Sequence, residues 1–339
     1  MPPRPTLRDV ATAAGVHPAT ASRALNEATR SLVRPATVAR VREVAAALGY
    51  QVNPIARSLK TSRSETVGVL VPDLTNPLFP PIVRGIEDTL ADSGYTVLTA
   101  NTDNDPERAA SNFAVLQARQ VDGFIIASAL LDDPLMHEAA ERGVPMVLVN
   151  RATEHLDVSM VAGDDATGIA RTVDHLVSLG HRDIAHIAGP LSVSTGAVRL
   201  RAFRAAMHSH GLRDDRIVVA EAYSEAAGRD ALVDLLEEEA PTAVVAGNDL
   251  LAIGCYDALE EQGLSCPDDI SIVGFNDMPF ISRLRPPLTS VRVPQYELGV
   301  EAARLLLDRL SGRTVTPRVV LLPVTLVVRG STAPPPSGR

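Results

Sequence analysis

Thr20, Ser22 and Arg23 close the stretch TLRDVATAAGVHPATASRALN, residues 6–26, and their side chains suit contacts to a nucleic acid. Two hydroxyls and a guanidinium can donate to phosphate oxygens and to base edges. Other chemistry is poorly represented. His181 and His186 lie five apart and His208 and His210 two apart, neither pair with a third ligand at metal-binding spacing. GNDLLAIG (247–254) lacks the glycines and the Lys-Ser/Thr of a phosphate loop, and no GxGxxG follows the first apolar strand. Catalytic residues, a metal and a cofactor are therefore not expected, and an enzyme is disfavoured.

The elements that would position Arg23 are short helices. Leu7, Val10, Ala11 and Ala14 recur at i, i+3, i+4 and i+7, so one helical face is apolar. Gly15 breaks that helix and Val16 anchors the turn. Pro18 suits the first turn of a second helix, where its missing N–H is not needed. Ala21 and Leu25 then face inward, leaving Thr20, Ser22 and Arg23 outward. Helix, glycine turn, helix is the plan of a helix-turn-helix, and equally of a surface helical hairpin. Thr37 to Leu48 predicts a third helix, with Val38, Val41, Val44, Ala45 and Leu48 along one face and Gly49 ending it.

Charge distribution favours the first alternative. The chain has 339 residues and a net charge of −9. Residues 1–63 nevertheless carry ten Arg and Lys against three Asp and Glu, a balance of +7. A basic head on an acidic body fits a head that meets phosphate. Cys255 and Cys266 are too few for a disulfide framework. No apolar leader and no run of about 18 apolar residues is apparent, so a cytoplasmic protein with no membrane association is expected.

Residues 53–60, NPIARSLK, suit a short helix with Asn53 as cap and Pro54 at its first position. It reads either as a hinge or as a linker docked on the body. Beyond Glu65, apolar strands alternate with helices: strands 66–71, 95–100, 123–127 and 146–149, and helices 81–93, 106–120 and 135–142. The rhythm restarts with helix 167–179, strand 184–188, helix 198–210, strand 243–246, helix 250–262, strand 270–273, helix 298–310 and strand material at 319–328. Continuous apolar strands indicate parallel sheets covered on both faces. The fold class is therefore α/β: two doubly wound, Rossmann-like subdomains after a small all-α head. The expected divisions are a head at 1–52, a hinge and linker at 53–63, and a body at 64–330. Within the body, one subdomain takes about 64–162 and 293–325, and the other about 163–292 with the C-terminal strand. STAPPPSGR (331–339) is expected to be disordered by composition. Ligands of such sheets bind outside the carboxyl ends of the strands.

VHPATASRALN, NPIARSL, VPDLTNPLF, ANTDNDPER, VDGFI, GNDLLAIG and DISIVGFND occur in the order found in the lactose/galactose repressor family of bacterial transcription regulators. Across residues 6–330 the chain resembles that family, which implies that the two subdomains are periplasmic-binding-protein-like. It departs from the family pattern at His17, usually Ser and a better helix cap; at Ala21, usually Val; at Val52, often Pro; and at Asn276, commonly Asp.

The resemblance implies a homodimer on palindromic double-stranded operator DNA. Its DNA contacts would be Thr6, Pro18, Ala19, Thr20, Ser22, Arg23 and Asn26 in the head, and Asn53, Ala56, Arg57, Leu59 and Lys60 in the hinge. Leu59 would wedge into the minor groove. The effector site would comprise Asp73, Asn76, Phe79, Arg151, Asp164, Arg199, Phe203, Asn248, Asp249, Asn276 and Asp277. Phe79 or Phe203 could stack on a sugar ring, although Asp73, Asp164 and Asp249 could equally cap turns. The implied function is an operator-binding repressor under a sugar or sugar-like effector. The alternatives are a purine- or nucleoside-responsive regulator of the same fold and a stand-alone small-molecule binding protein. No leucine heptad closes the chain, so a dimer rather than a tetramer is expected.

Overall fold

The structure, a computed structural model, describes residues 5–26, 29–50, 63–155, 157–313 and 316–336. The chain divides into two compact units at Ser64/Glu65.

The head holds α1 (Leu7–Ala13), α2 (Pro18–Leu25), a single 3-10 turn (Arg30–Leu32) and α3 (Pro35–Ala47). Thr6 and Asp9 cap α1 reciprocally: Asp9 N–H donates to Thr6 Oγ1 at 3.4 Å, and Thr6 N–H donates to the Asp9 carboxylate at 2.7 Å. Gly15 then turns the chain at φ +63°. The core is thin and rich in alanine: Val10, Ala11, Ala14, Ala21, Ala24, Val41 and Ala45. Leu25 packs against this core as expected, although it is only partly buried, and Ala24 joins Ala21 at the fully buried positions of α2. One sequence expectation fails here. Leu48 is 41% exposed, because the chain leaves the helix there and Tyr50 packs on the core instead. His17 does cap α2, since its Nδ1 accepts from Ala19 N–H at 3.2 Å.

Among the described residues the body forms two six-stranded sheets. The first lobe runs β1 (Thr66–Val71), α4 (Phe79–Asp92), β2 (Thr96–Asn101), α5 (Pro106–Ala118), β3 (Gly123–Ile126), α6 (Pro134–Glu141), β4 (Met146–Val149) and β5 (Ser159–Gly163). The second runs α7 (Asp165–Ser178), β6 (Ile184–Ala188), α8 (Ser194–Ser209), β7 (Ile217–Val219), α9 (Glu225–Glu238), β8 (Ala243–Ala246), α10 (Asp249–Glu261), β9 (Ser271–Asn276) and β10 (Thr289–Arg292). The chain then returns to the first lobe with α11 (Gln295–Leu310) and β11 (Val319–Leu322), and ends its strands in the second with β12 (Thr325–Val327).

Strand order is β11-β5-β4-β3-β1-β2 in one sheet and β12-β10-β9-β8-β6-β7 in the other. Every pairing is parallel except β10 with β12. In each sheet the order of strand addition reverses at the first strand, β1 or β6, which opens a crevice at the carboxyl ends. In α4, Phe79, Ile82, Ile86 and Leu90 share the buried face. One apolar cluster continues from Val67 and Ile82 in the first lobe to Phe203 and Val273 in the second. The lobes are joined where β5 leads to α7, β10 to α11 and β11 to β12. These crossings meet at Gly163, where a Cβ would lie 3.2 Å from Val324 and 3.3 Å from Val293.

The segment 331–336 is not disordered, contrary to expectation. Ser331 is fully buried; its Oγ donates to Ile272 C=O at 2.6 Å and accepts from Thr289 N–H at 2.8 Å. Its carbonyl accepts from Ile272 N–H at 2.9 Å, and Ala333 C=O accepts from the His181 ring at 2.8 Å. Polar composition reads as disorder only when the backbone finds no partners, and here β9 and β10 supply them.

Candidate functional site

On α2, Ala19 and Arg23 are exposed one turn apart, while Pro18, Thr20 and Ser22 are partly buried. Arg23 thus stands on the free face of the second helix, next to Ala19. Thr6 is exposed but already occupied in capping α1, and exposed Asn26 terminates α2. Asn53, Ala56, Arg57, Leu59 and Lys60 lie outside the described residues.

In the body, a crevice at the strand ends is lined by Asn76, Leu78, Phe79, Asn150 and Arg151 from the first lobe. Thr195, Arg199, Tyr223, Asn248 and Asn276 line it from the second. Its free volume is about 20 Å³, the space of about one water, so the lobes are closed on each other. Asn76 holds the turn into α4 through Leu78 N–H at 3.1 Å. Asn248 caps α10 through Leu251 N–H at 2.9 Å. Gly189 lets Tyr223 reach the site, because a Cβ there would meet its ring at 2.2 Å. The Tyr223 hydroxyl donates to Thr195 Oγ1 at 3.1 Å.

Arg199 is 3% exposed and almost fully engaged. Nε donates to Asp165 Oδ2 at 3.0 Å, Nη2 to Asp165 Oδ1 at 3.2 Å and Nη1 to Gly247 C=O at 2.7 Å. Its guanidinium lies 3.8 Å over the Phe275 ring. Burial pushes the Asp165 carboxyl above the usual carboxylate range and Arg199 pulls it back. Arg151 donates from Nη1 to Asn104 Oδ1 at 2.9 Å. Asn104 also lines a larger, mainly apolar cavity of about 230 Å³ between the starts of α5 and α6. Neither Arg199 nor Asn276 lines that cavity; the polar groups converge on the small crevice.

Of the eleven residues expected here, the crevice brings together Asn76, Phe79, Arg151, Arg199, Asn248 and Asn276. The other five serve the scaffold. Asp73 accepts from Thr75 N–H and Oγ1 at 2.8 and 2.7 Å, closing a turn. Asp164 caps α7 through Thr167. Phe203 is fully buried and stacked on His186 with ring centroids 4.8 Å apart, so it cannot stack on a sugar. Asp249 is fully buried, accepting from Ser290 Oγ at 2.6 Å and Met278 N–H at 2.7 Å. Asp277 is gripped by Arg292 and Arg329, both at 2.6 Å.

Leu78, Asn150, Thr195 and Tyr223 were not anticipated. Asn150 directly precedes Arg151 at a strand end, a signal that was available. Tyr223 lies just before α9, outside the elements that the sequence pattern predicts. Among the described residues no His/Cys/Asp/Glu group could hold a metal, and no helix is long and apolar enough to cross a membrane.

Residues 6–53 match the model of bacterial regulatory proteins of the lacI family, and residues 173–332 that of a periplasmic binding protein-like domain. The HTH-type transcriptional regulator DegA of Bacillus subtilis is 33% identical, covering 97% of this chain and 98% of its own length. The ribose operon repressor of Escherichia coli is also 33% identical, with coverages of 96% and 99%. The crystal structure of the lac repressor dimer bound to operator and the anti-inducer ONPF superposes with a TM-score of 0.88 at 31% identity. It covers 98% of this chain and 100% of its own. The chain is therefore a sequence-specific DNA-binding regulator and belongs to the lacI family of bacterial regulatory proteins.

Proposed function

We propose that the protein is an operator-binding repressor that acts as a homodimer and is controlled by a sugar-like effector in the body crevice. The crevice carries this reading: two guanidiniums, four asparagine amides and Phe79 converge between lobes that leave no free room for a ligand. Buried polar groups of this kind reject ligands that leave them unpaired. Opening and closing would make ligand and DNA affinities depend on one another. A structure of a relative with bound ribose, at 34% identity and TM-score 0.70, supports a sugar-like ligand, and the lac repressor dimer on its operator supports the assembly.

The test is an operator-release assay with sugars, sugar derivatives, nucleosides and purines on the full chain. A sugar-like compound should change operator affinity as it raises the melting temperature. Ligands that stabilise the body without altering DNA affinity would remove the sensor role, and a purine as the only hit would change the effector class.

A further inference from the structure

The crevice carries unbalanced charge. Arg151 and Arg199 both line it at 5% exposure or less. Asp165 neutralises Arg199. Arg151 forms no ion pair among the described residues; its hydrogen bond goes to the neutral Asn104 amide, and no carboxylate lines the crevice. Burial pulls the Arg151 guanidinium down to about 10, with Tyr223 opposing the shift and Arg199 adding to it, so it stays protonated at neutral pH. A buried cation without a counter-charge is costly unless a ligand supplies one.

The start of α8 has the same polarity. This helix of 16 residues begins with no side-chain cap, whereas α7 and α10 are capped by Asp164 and Asn248. Its first turn contains the crevice residue Thr195, and Ser194 Oγ accepts from Ala152 N–H at 2.8 Å, tying it to the residue after Arg151. An uncapped helix N-terminus attracts anions. Across the crevice, Asn276 is 2% exposed and its Oδ1 has no hydrogen-bond partner among the described residues. Its backbone sits at φ +111°, an unusual conformation for a non-glycine residue. That buried acceptor matches a ligand hydroxyl.

We propose that the effector is a polyhydroxylated acid, with its carboxylate or phosphate on Arg151 at the start of α8 and a hydroxyl donating to Asn276. This rests on the crevice being the effector site. The shared chemistry is a sugar skeleton with one anionic group, and gluconate and ribose 5-phosphate distinguish its two sources.

The experiment measures melting temperature and calorimetric binding of the full chain with D-gluconate, D-ribose 5-phosphate, D-glucose and D-ribose. An acid should bind at least about tenfold more tightly than its neutral counterpart, the contribution of one charge-assisted contact. Arg151→Met should erase that preference, and Arg151→Lys should keep it. Arg151→Met should also raise the ligand-free melting temperature by about 2–4 °C, because it removes the uncompensated charge. Neutral sugars binding as tightly as the acids, or a lowered ligand-free melting temperature in Arg151→Met, would overturn the proposal. If none of the four compounds binds, the ligand-free melting temperature decides. Operator release, followed in parallel, separates the two readings. A neutral sugar that releases operator keeps the effector role and overturns the acid, whereas an acid that binds without release does the reverse.

Discussion

Arg199 and Asp165 form a two-pronged ion pair, at 3.0 and 3.2 Å, with side chains 3% and 11% exposed. Removing one partner strands the other charge in the interior. Arg199→Ala should therefore destabilise the body by about 3–5 kcal/mol, read from denaturant unfolding. Adding Asp165→Ala should recover part of that loss. A double variant as unstable as the sum of the two singles would show that the pair is not coupled.

Two buried groups give stability opposite pH slopes. Burial raises Asp249 from 3.8 to about 7, opposed by Ser290 and Met278, which donate hydrogen bonds to it. Its contribution is fully present below about 3.8 and is lost as pH rises through about 7. Burial lowers His186 from 6.5 to about 4, against the donation of Nδ1–H to Val245 C=O. That contribution is present above about 6.5 and is lost as pH falls through about 4. Between these limits the two contributions oppose each other. Asp249→Asn should make stability rise with pH there, and His186→Gln should make it fall, by up to a few kcal/mol. Identical profiles for all three proteins would refute the assignment.

The crossing of α4 and α11 should tolerate no side chain at its centre. A Cβ on Gly85 would lie 2.1 Å from Tyr296 C=O, and one on Gly299 would lie 2.0 Å from Ile82 C=O. Both obstacles are backbone, so no rotamer relieves them. Gly85→Ala and Gly299→Ala should each cost about 3 kcal/mol despite the better helix propensity of alanine. Unchanged thermal unfolding in either variant would contradict this packing.

In the head, the His17 ring accepts from Ala19 N–H at the start of α2. His17→Ala should lower head stability by about 1 kcal/mol, and His17→Ser should preserve it. Amide exchange across α1, α2 and α3 in the full chain gives the readout. Equal protection in the alanine variant and the wild type would show that the cap contributes nothing.

Apolar runs made most of the body legible: β1, β4, β6 and β8 fall where their sequences place them. Other elements carried weaker signals. β7 has three residues at a sheet edge, and β5 alternates buried with partly buried positions. α9 falls outside the predicted elements although Ala231, Leu232 and Leu235 give it a buried apolar face. For the crevice, motif order identified six lining residues, but residue type alone could not separate ligand contacts from caps. Asp73 and Asp164 have the chemistry of a sugar partner, and each spends it on a nearby backbone N–H. Only the path of the chain decides that choice.

The crossings between the lobes also impose an order on synthesis. Every described residue of the head core lies at or before Tyr50, so the head can fold early on the ribosome. The first sheet, begun at Thr66, lacks its edge strand β11 until Val319–Leu322 emerge, and the second lacks β12 and the buried Ser331 until later still. A nascent chain halted before residue 319 would therefore expose β5 as an open strand edge, and a finished head would be tethered to a body unable to close on a ligand.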